Sequence, residues 1–270
     1  MKSVTKIIIS LLVVLTTTIT TTYAENEIKL EGIFQGENLF VMNPFASSGV
    51  GFCIFEVSVN GKVSTDEINC SAFEIDLSVY HLTKGDPIAV IIKHKEGCTP
   101  KVLNADVLKP KSTFSVVTIK ADKTGNITWT TKDEIGSLPF IVEQFKWKKW
   151  IAIGQVQGKG VPTNTNYSLK VGLHSGINKF RVKQIDYTKK PRLSPEVTIN
   201  NLQPEVTFTP GNNGKTSGSI SFSRATDYEI YDFYGKRLAK GNGTMVNVSS
   251  FPKGTYFINY DCKSESFEKK

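Results

Sequence analysis

The chain has 270 residues with 33 Lys and Arg against 25 Asp and Glu, only 3 His and 4 Cys. That length accommodates one large domain or two to three small ones. Four widely spaced cysteines exclude a disulfide framework or a zinc cluster, and three histidines leave little material for acid–base or metal chemistry.

At the N-terminus, Lys2 and Lys6 give a positive start, the run IIISLLVVL supplies a short apolar core, and Thr22-Tyr23-Ala24 ends in a small residue. This is the pattern of a secretory signal cleaved after Ala24. The Thr-rich run from Thr16 to Thr22 keeps the apolar segment below the roughly 20 residues that span a bilayer. No Cys follows the cleavage position for a lipid anchor, and no later run is apolar enough to cross a membrane. The expected mature chain is soluble, or held at a membrane only through partners.

Beyond residue 25 nearly every periodic run reads as a short strand bounded by Gly, Asn, Asp or Pro, and turn signals recur every 8 to 12 residues. The fold class expected is all-β, with tandem β-sandwich modules. Residues 25–113 form the first unit, ending at Lys109-Pro110-Lys111. It contains GFCIFEVSVNGKV, where Asn60-Gly61 is a strong hairpin signal, and PIAVIIKHK. Its Cys53, Cys70 and Cys98 allow one bridge at most; Cys53 to Cys70, Cys70 to Cys98, and three free thiols all stay open. The loop within ENLFVMNPFASSGVGF carries Phe45, either as a partner contact or as an aromatic tucked inward.

Residues 114–196 form the second unit, with strands FSVVTIKA, NITWTTK, PFIVEQF, KWIAIGQV, YSLKVG and KFRVKQID. With Trp129 in its second strand, this unit resembles a fibronectin type III or immunoglobulin-like sandwich. It holds 14 basic and 6 acidic side chains, whereas residues 25–113 hold 8 and 12 and residues 197–270 hold 9 and 7. Such asymmetry points to an oriented contact with an anionic glycan or an acidic protein surface. The best candidate surface is Lys146-Trp147-Lys148-Lys149-Trp150. In a regular strand the two tryptophans fall on opposite faces, so one would be exposed and free to stack on a sugar or a partner. A hairpin reversing between them is the other reading.

No catalytic constellation emerges, so no enzymatic activity, cofactor or metal is expected. GxSxG, HExxH and Gly-rich phosphate loops are all missing from the sequence. His94-Lys95-Glu96-Gly97-Cys98 reads as a polar loop, and the pairs Asp66-Glu67 and Asp133-Glu134 lie beside turn residues, where carboxylates are solvated. Nucleic acid is disfavoured for an exported chain whose basic and aromatic residues do not otherwise interleave.

Residues 197–270 form the third unit. Within it YEIYDFYGKRLAKGNGTMVNVSSFPKGTYFINYDCKSESFEKK resembles the C-terminal sorting domain of proteins exported by the type IX secretion system of the Bacteroidota. The resemblance is carried by Tyr231-Asp232, Gly235-Lys236, Asn247, Pro252, Gly254, Tyr256 and the terminal Lys269-Lys270. It implies a small β domain read by outer-membrane translocon proteins. Phe251 in place of the usual Leu, Cys262 and the acidic run before the last lysines depart from the family pattern. NLFVMNPFASSGVGFCIFEVSVNGKVSTDEIN, KGDPIAVIIKHKEGC and LPFIVEQFKWKKW resemble the PorA-like proteins of that system. That resemblance implies a non-enzymatic accessory that stays with the outer-membrane machinery and takes part in envelope signalling. A surface-anchored or released adhesin or glycan-binding cargo is the alternative, with Lys146, Trp147, Lys149, Trp150 and Phe45 as contact residues.

Overall fold

The computed structural model describes residues 26–270, so the expected signal segment lies outside the described residues. Among the described residues the regular elements are strands, apart from two 3-10 turns at Leu77–Tyr80 and Ala105–Leu108. Buried apolar residues fall into three separate clusters in chain order, each enclosed by its own sheets.

The first unit contains β1 (Asn26–Ile33), β2 (Leu39–Met42), β3 (Ile54–Val59), β4 (Lys62–Val63), β5 (Ala72–Ile75), β6 (Pro87–His94) and β7 (Lys101–Val102). They make one sheet in the order β1-β6-β3-β4 and a second in the order β5-β2-β7. Period-2 patterning decides which side faces in: Leu39, Val41, Val57, Val59, Val90 and Ile92 fill the space between the sheets, while Phe40 and Met42 face solvent. Asn60 and Gly61 both take positive φ, as the two-residue turn between β3 and β4 requires. Phe45 does not tuck inward; it is 65% exposed and stacks on Phe52 with centroids 4.6 Å apart.

The one disulfide here joins Cys53 to Cys98 across 45 residues, so neither pairing through Cys70 nor three free thiols is correct. Cys70 instead directs its thiol at the carbonyls of Glu67 and Ala72. The bridge ties the start of β3 to the segment following β6, and it consumes the thiol of the His94–Cys98 stretch. Loop-closure entropy makes reduction, or Cys53→Ala with Cys98→Ala, cost about 2–4 kcal/mol. Urea unfolding followed with and without reductant should show the midpoint fall by the corresponding amount.

The middle unit contains β8 (Ser115–Ala121), β9 (Asn126–Lys132), β10 (Pro139–Lys146), β11 (Lys149–Gln157), β12 (Thr165–Lys170), β13 (Gly176–Ile185), β14 (Pro191–Leu193) and β15 (Val197–Asn201). β12-β9-β8 face β11-β10-β13, with β14 and β15 both pairing with β13. Three strands against a larger sheet, with β11 outside β10, is a fibronectin type III-like arrangement. Trp129 is 1% exposed and packs against Phe140 and Tyr167 at the centre. Composition assigns Val197–Asn201 to the C-terminal unit. It belongs here instead, because Val197 and Ile199 pack on the middle core and the strand extends β13. Glu134 is likewise not solvated: it is 2% exposed and accepts hydrogen bonds from Tyr167 OH, Gly160 N and Thr131 Oγ1. Burial, the larger influence, together with that carboxylate, pushes the Tyr167 phenol up to about 12.

The last unit contains β16 (Phe208–Thr209), β17 (Gly214–Thr216), β18 (Ser219–Tyr231), β19 (Arg237–Asn247), β20 (Gly254–Tyr260) and β21 (Lys263–Lys269). The sheet order is β16-β18-β20-β21-β17, with β19 on the other side of β18 and β17 parallel to β21. Ile220, Ile230, Tyr256, Ile258, Tyr260 and Phe267 form its core.

Candidate functional site

The stretch Lys146–Trp150 is a hairpin, not a continuous strand. Trp147 and Lys148 both take positive φ (55° and 59°), so the chain reverses on these two residues, and Lys146 pairs with Lys149 and Phe145 with Trp150. Bulky residues reach this left-handed region at a cost of about 1–2 kcal/mol each, so something beyond the turn must hold them there.

What holds Trp147 is the last unit. Its side chain is 9% exposed, and Nε1 donates to the Asp261 carbonyl at 3.0 Å. Asp261 occupies the β20–β21 turn with φ 47° and is 4% exposed. Its carboxylate accepts from Ser175 N at 2.9 Å, from Ser175 Oγ and from Val206 N at 3.2 Å, while its own N–H donates to Thr226 Oγ1 at 3.0 Å. A buried anion persists when its hydrogen-bonding capacity is met in this way. One side chain thus joins the middle sandwich, the linker and the C-terminal sheet.

Around this seam the charges are paired. Lys146 Nζ lies 3.0 Å from Asp227 Oδ2 and 4.6 Å from the centre of the Trp147 ring. Glu229 collects Tyr231 OH at 2.6 Å, Arg237 at 3.4 Å, Lys240 at 3.6 Å and, from the middle unit, Lys149 at 4.0 Å. A polar cleft of about 280 Å³ opens beside the contact, lined by Gln144, His174, Arg224 and Asn242 among others.

Burial alone would raise the Asp227 carboxyl, but hydrogen bonds from Asn242 and Lys146 bring it below its ordinary 3.8. For Glu229 burial also opposes, and the Tyr231 hydroxyl with Lys149, Lys240 and Arg237 brings it below 4.5. A carboxylate whose folded value is depressed stabilises the fold above its unfolded value, and that contribution disappears as pH falls through the folded one. Scanning calorimetry should therefore show stability flat near neutrality and falling only below about pH 4.5. A profile with no loss on that acid side would show that the pairs across the seam contribute nothing.

Most of the singled-out C-terminal residues build turns and core. Asp232 Oδ1 accepts from Tyr234 N and Lys236 N at 2.9 Å each, and Gly235 N donates to the Asp232 carbonyl at 3.1 Å, closing the β18–β19 turn. Asn247 Oδ1 accepts from Ser249 N at 2.8 Å. Tyr256 is 4% exposed, reaches the Pro252 carbonyl at 2.7 Å and stacks on Phe267 at 5.5 Å. Gly254 (φ 153°) opens β20, Lys269 is 7% exposed, and Lys270 N donates to Thr216 O at 3.0 Å. Of the contact candidates, Lys146, Trp147 and Lys149 face the C-terminal unit. Trp150 stays half-buried on the outer sheet face, with Phe145 at 5.4 Å and Arg181 at 4.2 Å, far along the chain from Phe45. Sequence reasoning missed Ser175 and Asp261, whose contact joins positions 86 residues apart.

The three units, each with its own β-sheet core, define a modular β protein. Residues 212–270 match the family model described as the secretion system C-terminal sorting domain. The tail is that of a type IX secretion substrate, which implies export to the outer membrane or cell surface. The chain matches no curated protein. Among solved structures it is similar to a tetra-tandem repeat in the extending region of a large adhesion protein, at 12% identity and TM-score 0.28 over 91% of this chain and 74% of that one. It is also similar to fibronectin(III)-like modules of Clostridium thermocellum CbhA, at 11% identity and TM-score 0.22 over 58% and 93%. A third is the FN1–FN3 segment of chicken CNTN1, at 13% identity and TM-score 0.25 over 80% and 88%. Among the described residues no helix is long and apolar enough to cross a membrane.

Proposed function

We propose that this protein is a non-enzymatic substrate of the type IX system that is retained at the outer membrane, an accessory of the PorA-like kind that engages translocon proteins through its C-terminal domain and signals secretion status. The sorting-domain match supports delivery by that machinery. The observation that supports retention is the seam around Trp147 and Asp261. Removing the tail would strip the cover from a buried tryptophan and leave Ser175 without its acceptor. A tail destined for release gains nothing from that arrangement.

The test is the intact mass of the protein isolated from its own host, together with what co-purifies from gently solubilised outer membranes. Retention predicts a mass running from residue 25 to residue 270 with secretion-system proteins attached. Loss of the C-terminal unit, with the remainder at the surface or in the medium, would leave the alternative of an adhesin or glycan-binding cargo. That second reading draws on Trp150, the tryptophan of the pair left on an outer face beside Arg181.

A further inference from the structure

The motif residues of the β18–β19 turn are spent on its shape, and what the turn presents is a different pair. Asp232 ties the turn down from inside through Tyr234 N and Lys236 N, so the tip is rigid. On it Phe233 is 71% exposed and Tyr234 92% exposed, their rings 5.9 Å apart and nearly perpendicular. Phe257, 45% exposed, pairs with Tyr231 across β18 and β20 and so shares its sheet face directly beside the turn. Exposed aromatics clustered on a rigid element are what binding surfaces use as anchors, because their contact area comes at low entropic cost.

The surroundings give this cluster a sign. Lys236, Arg237, Lys240 and Lys149 flank it; of the acids on this side Asp232 closes the turn, Glu229 is already shared among Arg237, Lys240 and Lys149, and Glu268, on the Phe257 face, pairs with Lys215 at 2.8 Å. The Asp261 turn lies at the opposite end of the β18–β20 pairing, beyond Tyr228 and Tyr260, and although Lys149 of the middle sandwich reaches over the Tyr231 ring at 5.9 Å, Phe233 and Tyr234 stay uncovered with both units in contact.

We propose that Phe233 and Tyr234, supported by Phe257, form the anchor by which the C-terminal unit inserts into an apolar, acid-rimmed pocket on a protein of the secretion machinery. This rests on the reading of the tail as a sorting domain and names the part of it that is gripped. The occupant is a protein pocket because both features need one: apolar walls for two rings, and fixed carboxylates for the cationic rim.

The experiment follows the full chain in its host, comparing surface or outer-membrane delivery of the wild type, Phe233→Ala with Tyr234→Ala, and Lys236→Glu, each also in a host lacking the secretion machinery. The double variant should arrive at least about tenfold less than wild type, as expected for loss of anchor aromatics, with Lys236→Glu falling between the two. Both side chains are exposed, so the purified double variant should melt with the wild type, which separates lost docking from lost folding. Wild-type delivery that ignores the machinery would overturn the sorting reading itself. Machinery-dependent delivery that the double variant retains would overturn the anchor alone. Wild-type binding to protein-free vesicles of phosphatidylcholine and phosphatidylglycerol, abolished in the double variant, would also overturn it by making the tip a lipid contact.

Discussion

Trp147→Ala should cost the full chain about 3–5 kcal/mol, the range for truncating a buried large aromatic. Its effect should appear at the seam, not within either sheet. Trp147 belongs to neither the middle core nor the C-terminal core; it lies on a turn projecting from β10 and β11, and its Nε1 meets the Asp261 carbonyl. Removing the ring also takes away the surface over which Lys146 sits. One relief works the other way: residue 147 has φ 55°, and glycine adopts that conformation without penalty where alanine does not. Trp147→Gly should therefore lose slightly less than Trp147→Ala despite removing more atoms. Calorimetry of the wild type should give coupled melting of the middle and C-terminal units, and the variants two separated transitions. Limited proteolysis gives a second readout, since Leu202 in the connecting segment is 84% exposed and cleavage there should accelerate once the units part. If the variants melt as one unit at the wild-type temperature, the seam does not couple the units.

That turn also marks where the sequence stops being informative. Asn60-Gly61 announces its hairpin because both residue types tolerate positive φ. Trp147-Lys148 forms a turn with the same sign of φ without either residue type, so local propensity argues against it and only the tertiary contact explains it. The alternating strands around Trp129 and within residues 254–260 were legible because a half-buried sheet writes its period into the chain. Pairings over distance were not legible. Cys53 meets Cys98 because of how β3 and β6 lie side by side, and Glu134 is buried because Tyr167, 33 positions later, can donate to it. The boundary near residue 197 was misplaced for a related reason, because β15 is an edge strand whose polar face reads like linker. In the C-terminal unit the motif was legible as a motif. Its division into residues that shape the turn and residues that the turn displays was not, since Asp232 and Phe233 look equally available until the hydrogen bonds are known.

Asp261→Ala should destabilise by a similar amount, about 3–5 kcal/mol, by a different route. The carboxylate is the acceptor for two backbone N–H groups, those of Ser175 and Val206, and for the Ser175 hydroxyl. Both N–H groups are buried, and leaving each without a partner costs about 1–3 kcal/mol. Alanine at φ 47° adds about 1–2 kcal/mol of backbone strain, which Asp and Asn accommodate better. Asp261→Asn keeps an acceptor oxygen and the turn conformation but presents an amide where a second acceptor is needed, so it should lose about 1–3 kcal/mol. Ser175→Ala removes only the hydroxyl donor and should cost least. Because Asp261 contributes its carbonyl to Trp147 and its carboxylate to Ser175, the two arms of the seam share one residue, and the Trp147→Ala, Asp261→Ala double variant should lose less than the sum of the singles. A non-additivity of about 0.5–3 kcal/mol in urea unfolding is the expected range for residues in contact. Strict additivity would mean that the ring and the carboxylate act independently and that Asp261 is not the common fastening of sandwich, linker and sorting unit.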